Sequence, residues 1–327
     1  QSGGLGINTK NDGYSSPTQV GTDATWITAK AGDDIGVGIK APGELFTWGK
    51  NERGQLGQND TVARSSPTQV GTGKDWVLMD GFHNAYKGGV LATKTNGSLW
   101  SWGSNQYGQL GDNSVVNKSS PVQIAGTDWP TSGYKKLNAS FGCAHVVKPD
   151  NTMWVWGYNQ WGGLGLNNNS GDNPGANYSS PTQLPGTWKQ AAASGYNVAS
   201  IKTDGSLWSW GYTNHGSGGW NEGGIVGRSS PTQIPGSWSD VACGYHARQA
   251  IKSDGTLWSW GYNGAGQAGL NNRTNYSSPK QVGTDTTWSK VSAGGGGYVS
   301  CAIKTDGTMW AWGQNWWGML GQNSRTQ

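Results

Sequence analysis

Residues 99–111 decide the fold: Leu99-Trp-Ser-Trp-Gly-Ser-Asn-Gln-Tyr-Gly-Gln-Leu-Gly111. The first five alternate, with Leu99 and Ser101 on one side of an extended chain and Trp100 and Trp102 on the other. Two tryptophans on one face of a short strand cannot be buried within one small sheet. They require a neighbouring unit to stack on. The remainder is rich in Gly and polar residues, the composition of a tight loop. The Trp-Gly pair recurs at Trp48-Gly49, Trp102-Gly103, Trp156-Gly157, Trp210-Gly211, Trp260-Gly261 and Trp312-Gly313, with spacings of 54, 54, 54, 50 and 52. The chain is therefore read as six copies of about 50 residues.

Two further markers keep step. Ser-Ser-Pro begins at Ser15, Ser65, Ser119, Ser179, Ser229 and Ser277. An isolated tryptophan opens a β-like run at Trp26, Trp76, Trp188, Trp238 and Trp288, with Trp129 or Tyr134 in its place in the third copy. Four strands per copy are predicted. The first holds Pro-Thr-Gln-Val (Pro67 to Val70), and the second starts at the isolated tryptophan. The third ends in Ala-Ile-Lys (Ala302 to Lys304), and the fourth is Leu-Trp-Ser-Trp-Gly (Leu207 to Gly211). Asn96-Gly97, Asp204-Gly205, Asp254-Gly255 and Asp306-Gly307 lie between the third and fourth and supply the positive φ of a tight hairpin.

Composition narrows the class. The 327 residues hold 56 glycines, 21 tryptophans and only three glutamates, and 13% are charged, about half the roughly 25% of an ordinary soluble domain. Glutamate is too scarce for a helical bundle, tryptophan too abundant for a disordered chain, and glycine too irregular for collagen. No apolar run is long enough for a transmembrane helix. The net charge of +4 is scattered, with Lys135-Lys136 the longest basic run, so no nucleic-acid stripe is expected. Cys143, Cys243 and Cys301 are odd in number and widely spaced, so they read as small buried apolar residues rather than a disulfide framework.

The pattern Leu-Trp-Ser-Trp-Gly-x-Asn-x-x-Gly-Gln-Leu-Gly resembles the regulator of chromosome condensation repeat family, in the style of its bacterial and phage surface or virion members. Gly-Gln-Leu-Gly stands at Gly54 to Gly57 and Gly108 to Gly111. It is relaxed to Gly162-Gly-Leu-Gly, Gly266-Gln-Ala-Gly and Gly318-Met-Leu-Gly, and most altered in Gly216-Ser-Gly-Gly-Trp. The resemblance spans the chain and implies a β-propeller, usually of seven blades. Six copies predict an all-β, six-bladed propeller forming a single domain over residues 1–327, with seven blades requiring further residues. Gly4-Leu5-Gly6 precedes Ser15-Ser16-Pro17, and the sixth copy stops where Ser-Ser-Pro would follow. The two ends are therefore expected to share a blade and leave no open edge. The start in mid-motif is read as processing or an excerpt of something longer.

No hydrolase elbow, zincin, P-loop or dinucleotide motif is present. His83, His145 and His246 share one repeated segment and read as structural. Asp204, Asp254 and Asp306 are turn residues, and Glu44, Glu52 and Glu222 are isolated. The loops Asn8 to Gly13 and Asn167 to Asn173 do not match calcium-loop spacing. No catalytic residue, cofactor or metal is expected. The functional signal lies where copies differ. The loop after Trp-Gly carries Tyr107, Trp161, Trp220, Trp316 and Trp317, with Tyr158, Tyr212 and Tyr262 directly after the glycine and His215 in the altered fourth copy. By repeat symmetry these are predicted to form an aromatic rim suited to protein or sugar contacts. The competing reading packs Tyr107 and Trp161 beneath their own loops.

The expected function is a non-enzymatic interaction or structural propeller, extracellular, on a cell surface or on a virion, in a tail, fibre or adhesion assembly. Its expected partners are a protein or glycan surface or further copies of itself, with no nucleic acid and no membrane insertion. Low charge, abundant Asn, Ser, Thr, Gly and Trp, and the style of the resemblance motivate this reading. Two alternatives are a secreted protein-binding inhibitor, since a β-lactamase inhibitor uses a similar propeller, and a nuclear guanine nucleotide exchange and chromatin-binding propeller. The absence of a basic tail counts against the latter.

Overall fold

The computed structural model describes residues 4–8, 18–32, 34–82, 88–168, 177–244, 246–294, 298–316 and 319–320. All regular structure among them is antiparallel β-sheet. The described residues form two compact units. The first contains three four-stranded sheets: β1 to β4 (Trp26–Ala31, Ile35–Lys40, Glu44–Gly49, Arg64–Gln69), β5 to β8 (Trp76–Phe82, Gly89–Lys94, Leu99–Gly103, Lys118–Ile124) and β9 to β12 (Leu137–Ser140, Cys143–Val147, Met153–Gly157, Tyr178–Leu184). The second contains β13 to β16 (Trp188–Ser194, Asn197–Lys202, Leu207–Thr213, Val226–Ile234), β17 to β20 (Trp238–Cys243, Ala247–Lys252, Leu257–Gly261, Tyr276–Gln281) and a described three-stranded sheet, β21 to β23 (Trp288–Ala293, Val299–Lys304, Met309–Gly313).

Each sheet is a simple meander, offset by one strand from the sequence reading. The Ser-Ser-Pro strand closes a sheet instead of opening one: β4 pairs with β3, with Thr47 opposite Thr68 and Gly49 opposite Arg64. The reason is local. The loop after Trp-Gly turns the chain back along the strand it has just left. The predicted sharing of a blade between the two ends falls on Ser15 to Pro17, outside the described residues.

The alternation in residues 99–103 separates two cores. Trp102 and Trp100 pack toward the preceding sheet with Val37, Ile39, Leu45 and Trp76. Leu99 and Leu91 pack toward the following one with Leu137, Val146 and Trp156. The opening tryptophan meets the Trp-x-Trp pair edge-on: Trp76 lies 6.3 Å from Trp100 and 6.0 Å from Trp102. In the third copy Trp129 makes these contacts, at 6.3 Å from Trp154 and 6.0 Å from Trp156. It reaches in from a loop ahead of β9, and Tyr134 stays exposed. The lysine ending each second strand lies over the same rings, as Lys94 does over Trp76 and Trp100 and Lys252 over Trp238 and Trp258.

In every described copy but the second, the second tryptophan of the pair reaches into the loop before it. Its indole N–H donates to a carbonyl in the preceding copy's loop: Trp156 to Gln109 at 3.0 Å, Trp210 to Gly163 at 2.9 Å, Trp260 to Ser217 at 3.1 Å and Trp312 to Gln267 at 2.9 Å. Trp48 does the same with Gly4. The glycine ending that loop must be glycine. At Gly111 a Cβ would come within 2.6 Å of the Trp156 indole, and its φ is +74°. The first tryptophan closes the hairpin turn. Trp258 donates to Thr256 Oγ1, which donates to Asp254 Oδ1, and the Thr256 N–H donates to the same oxygen.

These side-chain and backbone hydrogen bonds hold Asp204, Asp254 and Asp306 below the ordinary carboxylate value of 3.8. A carboxylate depressed in the fold contributes stability above its unfolded value and loses that contribution as pH falls through the folded one. Thermal unfolding is therefore expected to show stability declining below pH 3.8, and Asp254→Asn should lessen that decline, since Asn96 builds the same turn with Ser98 without titrating. A second measurement isolates the indole tie. Trp156 and Trp102 are both fully buried, but the Trp102 N–H has no partner among the described residues. Trp156→Phe should cost about 1 kcal/mol more than Trp102→Phe in denaturant unfolding, the worth of one buried hydrogen bond.

Candidate functional site

The loop after each Trp-Gly is organised by a buried asparagine. Asn105 Oδ1 accepts from the Leu110 N–H, while its Nδ2 donates to Asp112 Oδ1 and to the carbonyls of Ser114 and Val116. Asn51 and Asn263 serve their loops in the same way. A buried amide bonded on both ends fixes the loop; the fourth side chain after the glycine reaches the surface, and where the first is a tyrosine, as at Tyr158, Tyr212 and Tyr262, it is half-buried beside it.

These two positions meet in pairs between consecutive loops. In the first unit Tyr107 lies 4.5 Å from Tyr158, centroid to centroid. In the second, Trp161 lies 4.9 Å from Tyr212 and His215 lies 5.0 Å from Tyr262. Each time the fourth residue of one loop rests on the first residue of the next. Tyr107 and Trp161 therefore pack against the following loop, not beneath their own. The tyrosines are half-buried, Trp161 is 39% exposed and Trp316 is 63% exposed. Trp317 lies outside the described residues.

Trp220 is not in this series. It follows Gly219 and occupies the place of Gln58 and Asp112 in other copies. Gly218 stands where Leu56, Leu110 and Leu164 are buried, and the indole lies over it, so that a Cβ on Gly218 would come within 2.5 Å of the ring. The indole joins Ile234, Trp238 and Trp260 in the core, with the Arg228 guanidinium 4.5 Å from its ring. Copy four has moved its core filler two residues along the chain, which made Trp220 look like a surface aromatic.

The sequence reading missed what lies beneath His215. His246 is half-buried, 5.8 Å from His215. Burial, with electrostatic repulsion from His215 and Arg248, lowers its pKa to about 4, so it is neutral at pH 7. Arg248 is wholly buried and donates from Nη1 to the Gly244 and Ala247 carbonyls. Its Nε and Nη2 have no partner among the described residues. Burial disfavours its charge, and Cys243 across the strand pair favours it. The legible signal was an arginine where other copies carry Gly36, Val90 or Val198. His145 is buried, and His83 lies outside the described residues. Cys143 and Cys243 are buried, Cys301 is half-buried, and none of the three is in a disulfide. Among the described residues no group of three or more His, Cys, Asp or Glu is placed to hold a metal.

Stacked four-stranded meanders tied by tryptophan define the class of protein, a β-propeller. Comparison with solved structures gives the same fold. The yeast protein Prp20 in complex with Kap60 superposes with a TM-score of 0.70 at 17% identity, over 90% of this chain and 71% of that one. Human WBSCR16 gives 0.66 at 20% identity, over 82% and 69%. The family model of the regulator of chromosome condensation (RCC1) repeat matches residues 42–79, 96–147 and 254–303. Among curated proteins, human E3 ubiquitin-protein ligase HERC2 is 26% identical over 53% of this chain and 4% of its own length. Human Protein RCC2 is 28% identical over 39% and 24%. The chain thus spans well under half of these relatives.

The core exchange in copy four is testable. Gly218→Leu alone should destabilise the fold by about 1–3 kcal/mol, through overpacking against Trp220. Adding Trp220→Gln, which rebuilds the copy-one arrangement, should recover most of that loss in the same denaturant titration.

Proposed function

We propose that the chain is a non-enzymatic interaction or structural propeller that works outside the cell or on a virion, and that the loops after Trp-Gly hold its partner. One observation carries the reading: rigid loops, each pinned by a buried asparagine, present side chains that differ from copy to copy. The constant part is scaffold, so recognition falls to the variable part. A protein partner is supported by the likeness to Prp20, a protein described bound to Kap60 and for its binding to Gsp1p and histones. The low charge and the wealth of Asn, Ser, Thr and Gly support an exposed, extracellular setting.

The test has two arms. The intact chain, immobilised, should retain a partner from the surface or particle fraction of its source. Replacing Trp161, His215 and Trp316 together by alanine should lower retention about tenfold or more, the weight of a few hot-spot residues, with the melting temperature held. Retention indifferent to these changes would remove the loops from the reading. Protease shaving of intact cells or particles should release peptides of this chain, and recovery confined to the cell interior would remove the setting.

A further inference from the structure

We propose that the groove between the fourth and fifth sheets binds an acidic peptide segment, whose carboxylate balances Lys252 as aspartates of the chain balance the matching lysine in three other copies. This site lies on the flank of the sheets and uses the end of the fourth copy's loop, Gly219 to Asn221, but none of the outward residues Trp161, His215 and Trp316.

The repeat supplies the comparison. Lys40 pairs with Asp23, Lys94 with Asp75 at 3.1 Å and Lys304 with Asp285 at 2.7 Å. Each of these aspartates sits in the connection leading to the opening tryptophan. In the fifth copy that connection is cut from Gly71-Thr-Gly-Lys-Asp75 to Pro235-Gly-Ser237, and the carboxylate goes with it. Lys252 remains over Trp258 at 3.7 Å and Trp238 at 5.5 Å, with no carboxylate partner among the described residues. Asp254, two residues on, spends Oδ1 on Thr256.

The space is also larger than in the second copy. The groove measures 580 Å³, against 450 Å³ for its counterpart beside Lys94. Both are within the range of ligand sites. Its apolar wall is Trp220, Ile234, Pro235, Trp258 and Pro279, and Gln233 and Ser278 stand at its side. In the counterpart, Gln58 replaces Trp220 and is tied down by the Thr68 and Gln69 carbonyls. Arg228 also lines the groove, but Glu222 holds it at 2.7 Å. Lys252 thus has no ion pair among the described residues, as Lys202 has none in the fourth copy, and the charge of Asp254 acts on it only through space, so the Trp220-lined groove offers it room for an anion. The tryptophan faces decide the rest. Lys252 lies over Trp258 and Arg228 over Trp220, so a sugar ring stacking on those faces would have to displace a cation. Ring edges, two prolines and Ile234 suit aliphatic side chains flanking the carboxylate.

The probe is acetyl-Leu-Glu-Leu-amide, followed through the Trp258 indole N–H signal in nitrogen-15 NMR, assigned with Trp258→Phe. Saturable binding near about 1 mM is expected. The Leu-Gln-Leu counterpart should bind about tenfold more weakly, and so should Lys252→Met, as for loss of one charge-assisted hydrogen bond. Exchange of Pro235–Ser237 for the Gly71–Asp75 segment should close the site while preserving the melting temperature. Equal binding of the Glu and Gln peptides, full binding after the segment exchange, or glucuronate shifting the same signal more tightly than the peptide would each overturn the proposal.

Discussion

A single hydrogen bond with its ring sets most of the rest: the indole N–H of the second tryptophan in Trp-x-Trp, reaching back to a carbonyl of the preceding loop. A long flat side chain spans the gap between two sheets only if the receiving backbone comes close. The loop must therefore end in a residue without a Cβ, which is why Gly111, Gly219 and Gly269 recur at that point. The next turn then falls to Asn59, Asn113 and Asn167, all at positive φ, each taking a hydroxyl hydrogen bond from the following copy's Ser-Ser-Pro. Abundant glycine and abundant tryptophan are thus one feature. Each of these loop-ending glycines makes room for an indole.

The low charge follows from the same geometry. With two indoles on one face of every sheet, the lysine ending the second strand lies over aromatic rings and needs few carboxylates beyond one in its own copy. The turn aspartates are engaged by hydroxyls and backbone N–H groups. A copy that loses its paired carboxylate keeps the lysine in place, because the rings still hold it. Charge balance is therefore the part of the repeat most easily altered without disturbing the fold.

What the sequence made legible is what repeats. Leu99 to Gly111 disclosed the strand, the stacked face and the loop, because alternation and spacing are visible in one line of residues. Strand phase was not legible: Ser-Ser-Pro reads equally as the start of one sheet or the end of another, and hydrogen bonding to β3 or its equivalent decides it. Trp129 and Tyr134 were indistinguishable because the third copy delivers its tryptophan from a loop. Lys94 and its five counterparts stood in every Ala-Ile-Lys-like run, but a strand-ending lysine carries no sign that aromatic rings lie beneath it. Arg248 was visible only by aligning its strand with the other five.

Departures from a repeat are of two physical kinds, and the structure separates them. Some restore the repeat by other means. Trp220 fills the space of a missing leucine, and Tyr107 on Tyr158 links neighbouring loops as Trp161 on Tyr212 does. Such residues look unusual in sequence and are ordinary in the fold. Others leave a difference that the fold does not repair. Trp316 stays exposed, Arg248 is buried without a carboxylate, and Lys252 has lost its aspartate. Only the second kind is unexplained by folding, because stability gains nothing from an unbalanced charge or an exposed indole. In a protein whose scaffold is repeated six times, recognition is to be sought in these uncompensated residues rather than in the tryptophan count.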